Sequence, residues 1–301
     1  MHKSVLYEES LKYLNLDDTS IIVDCTLGYG GHSSGILKEI KRGFLFAFDQ
    51  DNEAIKYSQE RLSKIGHNFE IINTNFVNLK EELDKRNIKA DGILYDLGVS
   101  SPQLDVDERG FSFHHDATLD MRMNQEQSLS AYEVVNEYPY KNLVEILYKY
   151  GEEKYAPSIA KGIIKARPIK TTLELVEIIK NNVPLKYRRD KHPARKTFQA
   201  IRIEVNNELN VFEQSLIQAL DLLNINGRIC VITFHSLEDK ICKRIFKEYS
   251  TVDKNLKDLP IIPESMLPKF KMIGSFKPST DELDENSRAR SATLRVIERI
   301  R

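Results

Sequence analysis

The residues of this chain best suited to chemistry are a glycine-rich turn and two aspartates that each close an apolar run. In Val23-Asp24-Cys25-Thr26-Leu27-Gly28-Tyr29-Gly30-Gly31-His32-Ser33, an apolar run passes through the turn into a helical pattern. Glycine lacks a Cβ and reaches positive φ cheaply, so a ligand can lie directly against the backbone at the start of a helix. Asp49 follows the apolar run Phe44 to Phe48, and a carboxylate about twenty residues beyond such a turn can accept both ribose hydroxyls of a nucleotide. Phe76, after a third run, offers a ring that could lie against adenine, although a phenylalanine is more often core. Turn and acid together indicate an adenosine ligand, either NAD or S-adenosylmethionine. The GxGxxG pattern of dinucleotide sites breaks at Ser33, and S-adenosylmethionine has no pyrophosphate to cradle, so the methyl donor is favoured.

Asp96 ends a fourth run and opens Asp96-Leu97-Gly98-Val99-Ser100-Ser101-Pro102-Gln103-Leu104, a loop placed where a sheet of this kind presents chemistry. Methyl transfer is an in-line displacement whose rate comes largely from positioning, and it needs no metal. Methylation of a pyrimidine ring carbon would require an activated cysteine. Cys25 and Cys230 fall in expected strands and Cys242 in an expected helix. Were the substrate a pyrimidine, an exocyclic amine would be the expected target, with acceptors from the Asp96 to Pro102 segment, and Asp96 first among them, holding its hydrogens.

These residues need a parallel α/β sheet to position them. Ile21 to Cys25, Phe44 to Phe48, Phe69 to Asn73 and Ile93 to Leu97 read as strands. Ser33 to Ile40, Asn52 to Ile65 and Val77 to Arg86 read as the helices between them. From about residue 105 the chain turns helical and polar, and the spacing predicts one long helix from Thr197 to Leu223, stopped by Asn226-Gly227 ahead of a strand from Arg228 to Phe234. Ser236 to Glu248 reads as a helix and Thr293 to Glu298 as a last strand. The expected architecture is a Rossmann-like domain of residues 1–104 and 206–301, with residues 105–205 inserted as a helical substrate-recognition domain.

A formal net charge of -1 excludes a polycation that coats nucleic acid indiscriminately. Positive charge is instead local: Lys186, Arg188, Arg189, Lys191, Arg195, Lys196 and Arg202 are opposed in sequence only by Asp190. Arg188, Arg189, Lys191, Arg195 and Lys196 are candidate RNA contacts, with Arg288 and Arg290, while His114, His115 and Arg122 are placed near the pocket mouth. The apolar stretches are too short for a membrane helix, no signal-peptide core is evident, and the three cysteines are scattered without metal spacing, so a reduced cytoplasmic protein is expected. A non-catalytic RNA-binding module would explain the basic stretch but leave the glycine turn and Asp49 without a purpose. An NAD-dependent oxidoreductase is the other alternative.

Further blocks sharpen the reading: His2 with Val5-Leu6 and Glu8; Arg109 to Phe113; Asp120 to Met123; Tyr150-Gly151-Glu152-Glu153; His192-Pro193 through Glu208; Phe234 to Asp239; and Arg288-Ala289-Arg290-Ser291. With the turn, Asp49 and the Asp96 loop, they resemble the RsmH (MraW) family of bacterial 16S ribosomal RNA cytosine-N(4)-methyltransferases over almost the full length. Ser4, Cys25 and Pro157-Ser158 depart from the family pattern. The resemblance implies a class I methyltransferase with an inserted helical domain, acting on a cytosine in the decoding region of the small subunit. It also implies that Gly30, Gly31, His32, Asp49, Phe76, Asp96 and Gln103 contact S-adenosyl-L-methionine. The expected partner is 16S ribosomal RNA, taken as the assembled subunit, and dimerisation is left open.

Overall fold

Short apolar runs that can be covered on both faces build the sheet. In the computed structural model, which describes residues 4–98, 107–190, 192–252 and 262–301, they form seven strands. These are β1 (Ile21–Asp24), β2 (Phe44–Asp49), β3 (Phe69–Asn73), β4 (Ala90–Asp96), β5 (Leu223–Thr233), β6 (Phe270–Phe276) and β7 (Thr293–Arg299). The order is β3-β2-β1-β4-β5-β7-β6, with β1 to β5 parallel and β7 antiparallel to both neighbours. The chain therefore has a Rossmann-like α/β fold. Its winding reverses between β1 and β4, and the crevice at such a reversal, beyond the carboxyl ends of the strands, is where these sheets bind ligands.

Residues alternate across the strands to fill two cores. Val23, Phe46, Phe48, Ile93 and Ile229 pack with Leu79 and Leu83 of α4 (Leu79–Lys85). Phe212 and Leu216, of the helix Glu208–Leu222, and Phe246, of the helix Ser236–Ser250, belong to the same core. On the other face Ile22, Leu45, Leu94 and Ile232 meet α1 (Tyr7–Leu14), α2 (Gly31–Glu39) and Leu62 of α3 (Asn52–Leu62).

Residues 1–98 with 209–301 form one compact unit, and residues 99–208 another with its own core. The second contains α5 (Ala131–Glu137), α6 (Tyr140–Lys149), α7 (Ala156–Ala166), α8 (Thr172–Asn181), α9 (Leu185–Asp190) and α10 (Arg195–Asn206). Reciprocal capping boxes start α5, through Ser130 and Glu133, and α8, through Thr171 and Glu174. At the end of α6, a Cβ on Gly151 would stand 2.7 Å from the Lys196 carbonyl oxygen, so only glycine lets that turn lie against α10. Two residues on, Glu153 is fully buried and accepts from Tyr187 Oη at 2.7 Å and the Tyr155 N–H at 2.9 Å.

Several elements differ from the sequence reading. The long helix expected from Thr197 to Leu223 is two helices, α10 and α11 (Glu208–Leu222), broken where Asn207 takes the left-handed conformation at φ 50°. Asparagine tolerates that conformation, and it caps α10 with its N–H on the Glu204 carbonyl. Nor is Asn226-Gly227 a helix stop. Both residues lie inside β5, which begins at Leu223, and a Cβ on Gly227 would come within 2.8 Å of the Asp91 carbonyl oxygen of β4. Close strand approach, not helix termination, requires that glycine. The edge strand β6 was not anticipated. Its apolar residues, Phe270, Met272, Ile273 and Phe276, do not alternate regularly, and pairing with β7 defines it. Among the described residues no helix is long and apolar enough to cross a membrane.

Candidate active site

The glycine turn connects the end of β1 to α2. Gly28 and Gly30 sit at φ 50° and 71°, and a Cβ on Gly30 would stand 3.2 Å from Ser58 Oγ. From α3, Ser58 Oγ donates to the Gly28 carbonyl at 2.8 Å and Arg61 donates to the Tyr29 carbonyl at 3.0 Å. The turn is thus held by two side chains of α3. No side chain caps the N-terminus of α2, which leaves that end of the helix to be satisfied by a ligand's anionic group.

Beneath the turn lies a buried polar network that the sequence reading did not assemble. Asp24, at the end of β1, accepts from Ser33 Oγ at 2.6 Å and from the Thr26 N–H at 3.0 Å. Thr26 Oγ1 accepts the Asp96 N–H at 2.6 Å, joining the turn to the end of β4. His32, in the first turn of α2, places Nδ1 3.5 Å from Asp96 Oδ2. Burial pushes the Asp24 carboxyl up, against the bonds from Ser33 and Thr26. Burial pushes the His32 imidazole down, but hydrogen bonding and charge from Asp96, with the charge of Asp24, outweigh this and raise it. The adjacent ends of β1 and β4, where Asp24 pairs with Leu94, and the start of α2 bring these groups together. The signal in sequence was the spacing of Asp24, Thr26, His32 and Ser33, which only the turn geometry makes legible.

At the end of β2, Asp49 Oδ2 accepts from the Gly28 N–H at 2.8 Å and Oδ1 from the Asp51 N–H at 2.9 Å. Burial raises its carboxyl to about 6, although these backbone bonds favour the charged form and only the nearby Asp51 charge adds to the rise. Each oxygen keeps acceptor capacity for a further donor. Phe76 begins a 3₁₀ turn after β3, partly buried, with its ring edge-on to Tyr95 at 5.8 Å. Gly30, Gly31, His32, Asp49, Phe76 and Asp96 all belong to the unit of residues 1–98 and 209–301 and sit at or just beyond the carboxyl ends of β1 to β4. Gln103 lies outside the described residues.

The expected RNA contacts are distributed differently. Arg188 donates to the Val183 carbonyl at 3.3 Å and Lys196 to the Glu152 carbonyl at 2.7 Å, while Arg189 and Arg195 are exposed. Among the described residues no carboxylate pairs with any of these four. Arg202, counted in the same basic stretch, is instead held by both oxygens of Glu208 at 2.8 Å. Arg122, expected at the pocket mouth, is clamped by both oxygens of Asp120 at 2.8 Å, and His114 and His115 are exposed. Arg288 is half-buried and Arg290 exposed in the 3₁₀ turn ahead of β7. Lys191 lies outside the described residues.

The family model described as "MraW methylase family" matches residues 1–300. The chain belongs to this family. It is also 55% identical to the ribosomal RNA small subunit methyltransferase H of Exiguobacterium sibiricum, over the whole of this chain and 98% of that one. Among solved structures, an rRNA methylase from Streptococcus thermophilus matches with a TM-score of 0.46 and 13% identity, covering 100% of this chain and 99% of that one. A SAM-dependent O-methyltransferase from Thermotoga maritima matches with 0.44 and 9%, covering 100% and 68%.

A donor of the methylase kind fits the residues present. The positive-φ turn, the uncapped helix end and a carboxylate with spare acceptor capacity suit an adenosyl group that carries an amino acid. The three cysteines of this chain present no accessible thiolate. Cys25, just past β1, Cys230 in β5 and Cys242 in the helix Ser236–Ser250 are all buried, and burial pushes each thiol up.

Proposed function

We propose that this protein transfers a methyl group from S-adenosyl-L-methionine to the exocyclic N4 amine of a cytosine in the decoding region of 16S ribosomal RNA. The observation that carries the reading is the full-length family match, joined to a glycine turn and an acid at the first two strand ends. S-adenosyl-L-methionine supplies a methyl group activated by its sulfonium. Asp49 accepts the ribose hydroxyls, Gly30, Gly31 and the first turn of α2 take the amino-acid end, and Phe76 lies against the adenine. Gln103 completes the set.

The exocyclic amine's lone pair is delocalised into the ring, so acceptors on its hydrogens draw it toward the electrophile and take the proton released afterwards. Asp96 is the acceptor at the end of β4. The three raised thiols support an amine target over a ring carbon, since none supplies the thiolate that ring-carbon methylation needs. The helical unit serves as the substrate-recognition domain. Arg188, Arg189, Lys191, Arg195 and Lys196, with Arg288 and Arg290, hold phosphates around a cytosine drawn out of its stack. The substrate is the assembled small subunit, met in the cytoplasm.

The test is transfer of labelled methyl to small subunits from cells lacking this protein, followed by nucleoside analysis. N4-methylcytidine at one decoding-region position is the expected product. Label in a ring-methylated base, or none in RNA, would refute the reading. Titration with NAD serves as the control for the dehydrogenase alternative and should show no binding.

A further inference from the structure

Asp96 is a carboxylate with little to hold it. Its side chain is 26% exposed, and among the described residues its buried Oδ1 has no hydrogen-bond partner and the one side chain that meets it is His32, Nδ1 to Oδ2 at 3.5 Å. His32 itself is only 5% exposed, so its ring offers a ligand little surface while the carboxylate is the more accessible of the two. The imidazole is fixed in turn: it follows Gly31 at the start of α2, its ring stacks on Tyr7 at 6.0 Å and 26°, and the next residue, Ser33, is tied to Asp24.

Folding alone would not choose this residue. Among the described residues its buried Nε2 has no hydrogen-bond partner, and such a polar atom costs desolvation that an apolar side chain of similar volume would not. Local rules are broken in this way mainly where a site needs the arrangement.

We propose that His32 is a positioning residue for Asp96, its Nδ1 fixing the carboxylate in the orientation that meets the reactants. The inference rests on the role given to Asp96 above. It replaces the expectation that the His32 side chain touches the donor directly, since its Nε2 is buried. A contact from its backbone is unaffected.

Substitution separates positioning from mere packing, because asparagine carries Nδ2 the same number of bonds from Cα as histidine carries Nδ1. Glutamine sets its amide one bond further out, and leucine has no donor. His32→Leu and His32→Gln should lose on the order of 10- to 100-fold in kcat/KM, and His32→Asn should recover most of it. Loss in kcat at unchanged donor affinity assigns the held carboxylate to the target amine, and loss in donor affinity by calorimetry assigns it to the donor's ammonium group. Either outcome supports positioning. Equal activity in the Asn, Gln and Leu variants, whether high or low, overturns it.

A second measurement needs no change at His32. In the otherwise unaltered protein, Asp96→Asn should shift the imidazole ¹⁵N resonance of His32, and an unmoved resonance overturns the pairing. If the unaltered protein fails to methylate ribosomal subunits, the proposed function fails instead, while donor titration and the imidazole resonance still report on the His32–Asp96 link.

Discussion

Asp24, Thr26, Ser33, His32 and Asp96 are joined to one another across two strand ends and a helix start, whereas Arg189 and Arg195 stand exposed with no carboxylate paired to either among the described residues. Both regions are polar, and both were picked out in the sequence. At the strand ends, burial makes each charge depend on its neighbours, so geometry sets orientation and protonation together. Along α9 and α10 the cations point into water, where fixed geometry gains little and an external anion is the natural partner. The first arrangement suits a small ligand held to within a fraction of an ångström, and the second a large, flexible polyanion.

The sharpest way to break that contrast is Asp49→Asn. One amide cannot accept from two ribose hydroxyls while also serving the Gly28 and Asp51 N–H groups, so donor affinity should fall roughly 100-fold by calorimetry. The thermal midpoint should move by only about a few degrees, because the change sits at a strand end rather than in the core. Affinity within a few-fold of the unaltered protein would mean that Asp49 does not hold the ribose.

On the other side of the comparison, Arg189→Ala with Arg195→Ala should weaken binding to the small-subunit RNA roughly tenfold or more. It should also flatten the plot of log affinity against log salt by about 1.5. Donor binding should not change. An unaltered slope would move these cations from the phosphate-holding set to the merely solvated one.

The strands β1 to β4 and the acids at their ends were legible because buried parallel strands are apolar on both faces and a turn residue must follow each. The Asn207 break was not, because residues 195–222 are apolar at helical spacing on either side of it and one left-handed residue leaves no gap in the period. The split roles within the basic stretch were also hidden. Arg202 and Glu208 meet across the left-handed Asn207, which sequence does not reveal, and sequence charge alone makes Arg202 equivalent to Arg195. The ring of bonds from Asp24 to His32 depends on Gly28 and Gly30 curling the turn back over β4, which motif spacing suggests but does not draw.

The perturbed Asp49 carboxyl gives a pH signature with two opposite signs. Because burial raises it to about 6 in the folded chain, the folded protein binds this proton more tightly than the unfolded one. Its contribution to stability therefore grows as pH falls from above 6 toward the ordinary carboxylate range, and is lost as pH rises through 6. Donor binding needs the ionised form, so affinity should hold steady above about pH 7 and drop roughly tenfold by pH 5. Asp49→Asn should abolish this drop. A decline between pH 7 and 5 that survives in the variant would place the titrating group elsewhere.

The smallest expected effect tests whether the two kinds of polar site can coexist in one stretch. Arg202 and Glu208 are mostly buried, at 16% and 12% exposure, and make a two-pronged pair with both bonds at 2.8 Å. The pair spans the left-handed Asn207 that ends α10. Removing its cation with Arg202→Ala leaves a largely buried carboxylate without that partner and should destabilise the protein by about 1–2 kcal/mol in denaturant unfolding. The salt dependence of RNA binding should stay as it was, because a guanidinium already neutralised by Glu208 releases no counterion on meeting a phosphate. If Arg202→Ala flattened that dependence as much as Arg195→Ala does, the Glu208 pair would have to open on RNA binding. The division between internally answered and outward-facing charge would then fail at the residue where the two kinds lie closest in sequence.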